Sequence, residues 1–313
     1  MVHTLIHLLL VVTLPPLLLG VIARTKAAFA GRMGPPLFQP YYDLSKLVQK
    51  GTVFGDTTTW IFRAAPVVTF AATFLAALLI PLGSHAAPLF FAGDVILFAY
   101  LLALGRFFTT SAALDTGSSF EGMGAAREVT FACLAEPALF LGFLVLARLS
   151  KWQPDSSPSN LSLTGMLQGP LAAEWKIGGA ALVLVLVSWF VVLLVENARI
   201  PFDDPNTHLE LTMIHEVMVL DHSGPGLALI HYGAALKLFV FGALIVPIAV
   251  PFSTGNVWAD WGLFLVALLL LMVGVGVVES AMARLRLIHV PRLLVAASVL
   301  AAFAMILLVS RSL

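Results

Sequence analysis

The 313-residue chain is poor in charge and in cysteine. Only 11% of its residues are Asp, Glu, Lys or Arg, less than half the roughly 25% of a soluble domain, and 60% belong to the set AVILMFWYC. A water-soluble globular fold is excluded. Seventeen Lys and Arg balance seventeen Asp and Glu without a basic run, so nucleic acid is excluded as a partner and no net field draws the chain to acidic lipid. The single cysteine, Cys133, lies in an apolar segment, where a thiol is expected to pack as a small buried hydrophobe. One cysteine holds no iron–sulfur cluster, Cys-rich zinc site or nickel centre, so any redox centre belongs on another chain and no cofactor or metal is expected on this one. A Walker-type phosphate loop is missing, and no Ser-His-Asp arrangement stands out.

What the chain does have is long apolar runs. A helix needs roughly 20 mostly apolar residues to cross about 30 Å of hydrocarbon. Eight stretches qualify: His3–Ala23, Ala64–Gly83, Val95–Leu114, Val129–Leu149, Ile177–Glu196, Leu227–Pro251, Trp258–Ser280 and Pro291–Ser310. The expected fold is an all-α integral membrane protein, a single domain over 1–313, with eight transmembrane helices and amphipathic helices in the cytoplasmic loops. The first run has no basic region before it and no small-residue cleavage site, and reads as a retained span.

Eight spans place both termini on one side. The loops at about 24–63, 115–128, 197–226 and 281–290, with their flanks, carry Arg24, Lys26, Arg32, Lys46, Lys50, Arg63, Arg127, Arg199, Arg284, Arg286 and Arg292; the other loops and the tails carry Arg148, Lys151, Lys176 and Arg311. Cytoplasmic loops collect Lys and Arg, so the first set is cytoplasmic and both termini face the outer, periplasmic side of the inner (plasma) membrane. The first of these loops turns through Gly31-Arg32-Met33-Gly34-Pro35-Pro36 and leads into a short amphipathic helix around Tyr41–Val48, expected to lie along the membrane face. A second amphipathic stretch is expected at Thr207–Leu220. The outward loop Lys151–Glu174 reads as a plain connection, and no internal repeat supports an inverted-repeat transporter.

Charges inside spans mark an ion path or a polar contact within the bundle. Arg106, Glu128, Glu136, Glu196, Lys237 and Glu279 are the candidates. Glu128, Glu196 and Glu279 lie near helix ends, where a side chain reaching water is an equal reading. Glu136 follows Glu128 by eight residues, which returns to nearly the same helix face about 12 Å along the axis. Two carboxyls on one stripe suit a stepwise proton relay. Pro137 frees a backbone carbonyl one turn back from Glu136 and leaves room for water. Lys237 is the expected basic partner, and a structural ion pair between helices is the competing reading. His208, His215 and His222 recur every seven residues, but on one helix they stand about 10.5 Å apart, too far to share an ion.

Three segments, in order, resemble one family. Gly31-Arg32-Met33-Gly34-Pro35, with Gln39-Pro40, Asp43 and Lys46-Leu47, resembles the first cytoplasmic loop of membrane subunit 1 (the H subunit) of respiratory complex I. Leu114-Asp115-Thr116-Gly117-Ser118-Ser119-Phe120, with Gly124-Ala125-Ala126-Arg127-Glu128 and Glu136-Pro137, is similar to the formate hydrogenlyase and hydrogenase-4 branch of energy-converting nickel-iron hydrogenases. Glu196-Asn197-Ala198-Arg199-Ile200-Pro201-Phe202-Asp203 resembles a Glu, Pro-Phe-Asp signature common to both.

The resemblance implies a membrane-arm subunit that docks a cytoplasmic redox module and couples electron transfer to H+ or Na+ translocation. The partners it implies are hydrogenase-like large and small subunits, a ferredoxin-like iron–sulfur subunit and antiporter-like membrane subunits, with iron–sulfur clusters and nickel-iron chemistry on those partners. Glu128, Glu136, Glu196 and Glu216 are then the ion relay, with Arg106 and Lys237 as charge partners. Arg32, Asp43, Lys46, Arg127, Arg199, Asp203, Glu210 and Asp221 dock the module or hold the cytoplasmic loops. Asn206, His208 and Met213 replace acidic positions of that segment, which weakens the likeness to an acid-lined quinone site; Glu216 is taken to substitute for part of it. The rival readings are a quinone-reducing or nickel-free related complex, a stand-alone ion transporter, and a passive anchor.

Overall fold

The computed structural model describes residues 2–150, 161–168, 171–203 and 213–312. Among them are ten α-helices: α1 (Val2–Phe29), α2 (Gln39–Val48), α3 (Trp60–Leu79), α4 (Asp94–Asp115), α5 (Ser119–Ser150), α6 (Leu163–Leu167), α7 (Leu171–Glu196), α8 (Gly224–Ala249), α9 (Val257–Ala281) and α10 (Val290–Ser312). All but α2 and α6 are long and apolar enough to cross a membrane. Helix is the form such runs take because hydrocarbon offers no partner to a free backbone N–H or C=O. The eight expected spans are therefore present, within an all-α fold.

The ends differ most at α5, which starts at Ser119 and not near Val129, so the expected loop at 115–128 is mostly helical. Packing explains the extension. Glu121, Gly124 and Ala125 are buried there, and a Cβ on Gly124 would stand 2.3 Å from Val217 Cγ1. Only glycine lets residues 214–218 lie so close to the helix.

Helix α2 is the expected surface helix, with none of its residues buried and a Gln39 Nε2 to Asp43 Oδ1 hydrogen bond of 2.9 Å. The expected second amphipathic stretch is corrected over its described part, 213–220. It forms a short 3-10 turn, Glu216–Val219, with Met213, Ile214, Val217, Met218 and Val219 buried and His215 and Glu216 bordering cavities inside the protein. Thr207–Thr212, with Glu210 and His208, lie outside the described residues. The 151–174 connection is more than a tether: α6 is buried, and the buried Asp94 carboxylate accepts from Ser162 Oγ at 2.8 Å and Leu163 N at 2.6 Å.

Helix α8 sits centrally, packed by α1, α3, α7 and α9, and is buried continuously from Leu238 to Ile248. Helix α10 packs on α5 and α7, and α3 on α4. Close approach of α5 to α7 needs Gly142, where a Cβ would fall 2.0 Å from Trp189 Nε1. Cys133 corrects an expectation: it is exposed, on the outer surface of α5 with Val129, Phe140 and Leu144. In hydrocarbon an apolar side chain gains nothing by hiding in the bundle, so a membrane helix can leave a thiol on its lipid side.

Candidate functional site

Four helices bring five ionisable side chains together, with Arg106 of α4 at the centre of Glu128, Glu136, Glu196 and Lys237. Its Nη1 donates to Glu136 Oε1 at 2.5 Å, and its Nη2 donates to both oxygens of Glu196 at 2.8 and 2.9 Å. Glu128 Oε1 lies 3.9 Å from Arg106 Nε, beyond hydrogen-bond range. Lys237 Nζ of α8 closes the cluster on Glu196 Oε2 at 2.7 Å. Three carboxyls thus face two cations. Two of them are held within hydrogen-bond range of a cation, and Glu128 is not.

Exposure grades the members. The Glu196 side chain is 5% exposed and that of Glu128 14%, whereas Glu136 is 41% exposed on the outer surface of α5. The cluster therefore reaches from the bundle interior to a lateral face. A cavity of about 60 Å³ adjoins it, lined by Arg106, Glu128, Glu196 and Lys237, and one water needs only about 10–15 Å³.

A second cluster lies on the side of α1 and α2. Glu279 of α9, its side chain fully buried, pairs with Lys26 Nζ at 2.9 Å and Arg199 Nη1 at 3.5 Å. Burial pulls the Arg199 guanidinium below its ordinary value, opposed by Glu279 and Glu216. Lys26, Arg199, Glu279, Glu216 and Asp43 all border a cavity of about 600 Å³ between α1, α2 and α8. Glu216, expected with the relay, stands here and makes no ion pair with Arg106.

The turn after α7 joins the clusters. Glu196 ends the helix, Ala198 adopts a left-handed φ of 49°, and Arg199 turns to the other side. Asp203, 1% exposed, then fastens the segment beyond the turn: its carboxylate accepts from Ile214 N at 3.0 Å, His215 N at 3.1 Å and Arg284 Nη2 at 2.8 Å. Arg127 Nη1 donates to the Met213 carbonyl at 2.7 Å. Arg127, Arg199 and Asp203 are thus internal fasteners, whereas Arg32, Asp43, Lys46 and Asp221 are exposed.

Sequence reasoning overlooked Lys26 as the partner of Glu279, and it overlooked Glu121. That carboxylate is fully buried and accepts from Asp221 N at 3.1 Å. Its available signal was an acid in the first turn of a helix, where the dipole favours one.

Fold and site together define a polytopic helical membrane subunit built around buried carboxylate–cation clusters. The NADH dehydrogenase family profile matches residues 2–310, and the chain belongs to that family, that of complex I membrane subunit 1. It is 32% identical over 298 residues to formate hydrogenlyase subunit 4 of Escherichia coli (strain K12), covering 93% of each chain. Hydrogenase-4 component C of the same organism is 32% identical over 296 residues, or 92% of this chain and 90% of that one. NADH-ubiquinone oxidoreductase chain 1 of Triticum aestivum is 30% identical over 244 residues, 73% of this chain and 70% of its own. A chain of the archaeal membrane-bound sulfane sulfur reductase, a respiratory membrane complex, shares the fold with a TM-score of 0.79 and 21% identity, over 98% of this chain and 100% of that one.

Proposed function

We propose that this subunit docks a redox module of a hydrogenase or formate hydrogenlyase type complex and couples its electron transfer to H+ or Na+ movement. The observation that carries the reading is the Arg106 cluster, in which three carboxyls share two cations across four helices. Redox-driven charge or movement at the loops shifts which carboxyl holds a proton, since nearby charge and desolvation set that balance.

The docking surface is formed by α2 and the loop before it, where Arg32, Asp43 and Lys46 are exposed. Nickel-iron and iron–sulfur centres belong to the docked large, small and ferredoxin-like subunits, because one cysteine supplies no cluster ligand set. Glu136, half-exposed on a lateral face, fits against an antiporter-like membrane subunit that continues the path. The excess of Lys and Arg in alternate loops supports a cytoplasmic position for these loops and an outer, periplasmic side for both termini.

The test is the assembled complex in sealed vesicles, with ions moved per electron as the readout. Glu196→Gln and Glu136→Gln are expected to assemble and to lose coupling; wild-type ion flux in both variants removes the cluster from the path. A quinone-reducing reading is favoured by one feature, the cavity of about 600 Å³, which lies within the range of small-molecule sites. Quinone-dependent electron transfer by the purified complex would establish that reading.

A further inference from the structure

The two cavities share a wall. Asn197, His215 and Ala234 border both the 60 Å³ cavity of the Arg106 cluster and the 600 Å³ cavity of the Glu279 cluster. Alanine handles no proton, and an amide does not titrate. Asn197 moreover spends its Nδ2 on the Leu193 carbonyl at 2.8 Å, and its buried Oδ1 has no hydrogen-bond partner. An imidazole, by contrast, holds a donor and an acceptor at once.

We infer that His215 is the proton-transfer residue between the two clusters. This rests on the coupling function proposed above and names the ion at this step as H+. One ring nitrogen takes a proton from water or Glu216 on the side of the larger cavity. The other nitrogen releases its proton to Glu128, the carboxyl that Arg106 holds least tightly at 3.9 Å. One proton crosses, the imidazole is left as its other tautomer, and rotation or back-exchange restores it.

The groups around the ring fit that role. Arg199 and Glu216 stand on the larger cavity, Arg106, Glu128, Glu196 and Lys237 on the smaller one. The backbone N–H of His215 is fixed at 3.1 Å on the Asp203 carboxylate, so the residue keeps its place in the wall when its side chain is changed.

The experiment compares wild type, His215→Gln, His215→Asn, His215→Ala and Glu196→Gln as complete complexes in sealed vesicles. Proton flux is read with a pH-sensitive dye while electron transfer is driven. Both amide variants are expected to lower protons moved per electron about tenfold or more, a smaller demand than the roughly 10²–10⁴-fold a positioned acid–base group contributes. Added imidazole is expected to restore flux in His215→Ala, which a purely structural role of the side chain would not produce. If the amide variants pump as wild type does while Glu196→Gln is uncoupled, the role of His215 falls and the coupling function stands. If wild type moves Na+ in a pH-indifferent way, the proton assignment falls. If wild type moves no ion at all, both readings fall together.

Discussion

Glu196 and Arg199 are three residues apart on a single turn, yet their side chains belong to different charge clusters. Glu196 is held by Arg106 at 2.8 Å and Lys237 at 2.7 Å, and Arg199 pairs with Glu279 at 3.5 Å. Any movement of this turn is felt by both clusters at once. The left-handed Ala198 between them is what sends the two side chains opposite ways.

That conformation costs an L-residue roughly 1–2 kcal/mol, and glycine avoids it. Ala198→Gly is expected to raise thermal stability in detergent slightly. Ala198→Val is expected to lower it, with impaired coupling, because positive φ is a genuine outlier for a β-branched residue.

Arg106→Ala takes the cation from Glu128 and Glu136 and leaves Glu196 with Lys237 alone. Removing one partner from a buried pair costs about 3–5 kcal/mol, so this variant is expected to show a large fall in Tm or a failure to assemble. Glu136→Gln keeps the side-chain shape and an oxygen that still accepts from Arg106 Nη1. Its stability is expected to be near wild type, so a loss of coupling in Glu136→Gln reports on the ion path and not on folding.

His222, just outside α8, is stacked on Phe62 at 3.9 Å between ring centroids and is 7% exposed. Burial pushes its pKa from 6.5 down to about 4. Because the folded value lies below the unfolded one, its neutral form stabilises the fold fully above about pH 6.5. That contribution is lost as pH falls towards 4, by up to about 1.4 kcal/mol per pH unit. Melting temperatures of wild type and His222→Phe between pH 7 and pH 4.5 are expected to diverge, with wild type falling more steeply.

Gly142→Ala drives a methyl group into Trp189 Nε1. Overpacking of this kind costs typically about 1–3 kcal/mol, and Tm is expected to fall accordingly. Gly262→Ala, where nothing lies within 4 Å, is the control expected to leave Tm unchanged or slightly raised, since Ala is favoured over Gly in a helix interior.

Much of this was legible in the sequence because hydrocarbon imposes a simple rule. Apolar length alone located the eight spans, and charge inside them located Arg106, Glu128, Glu136, Glu196 and Lys237, which the fold brings into one cluster. What stayed hidden depends on tertiary contact. Glu216 sits with Arg199 because Asp203 pulls residues 214 and 215 beneath the end of α7. Lys26 looked like one loop charge among eleven, since nothing local marks its pairing with Glu279, some 250 residues away along the chain. The first turns of α5 carry glycines and charges, which read as a loop until residues 214–218 are seen packed against them.

The length of α5 has a mechanical consequence. Its 32 residues make a rod of about 48 Å, longer than the roughly 30 Å of hydrocarbon. One end grips the backbone of residues 213 and 221 through Arg127 and Glu121, and the same rod carries Glu128 and Glu136 farther on. Pro137 leaves the Cys133 carbonyl without its helical donor, so the compliant turn lies between the two carboxyls. A load applied at those loops reaches Glu128 through unbroken helix and Glu136 only through that joint.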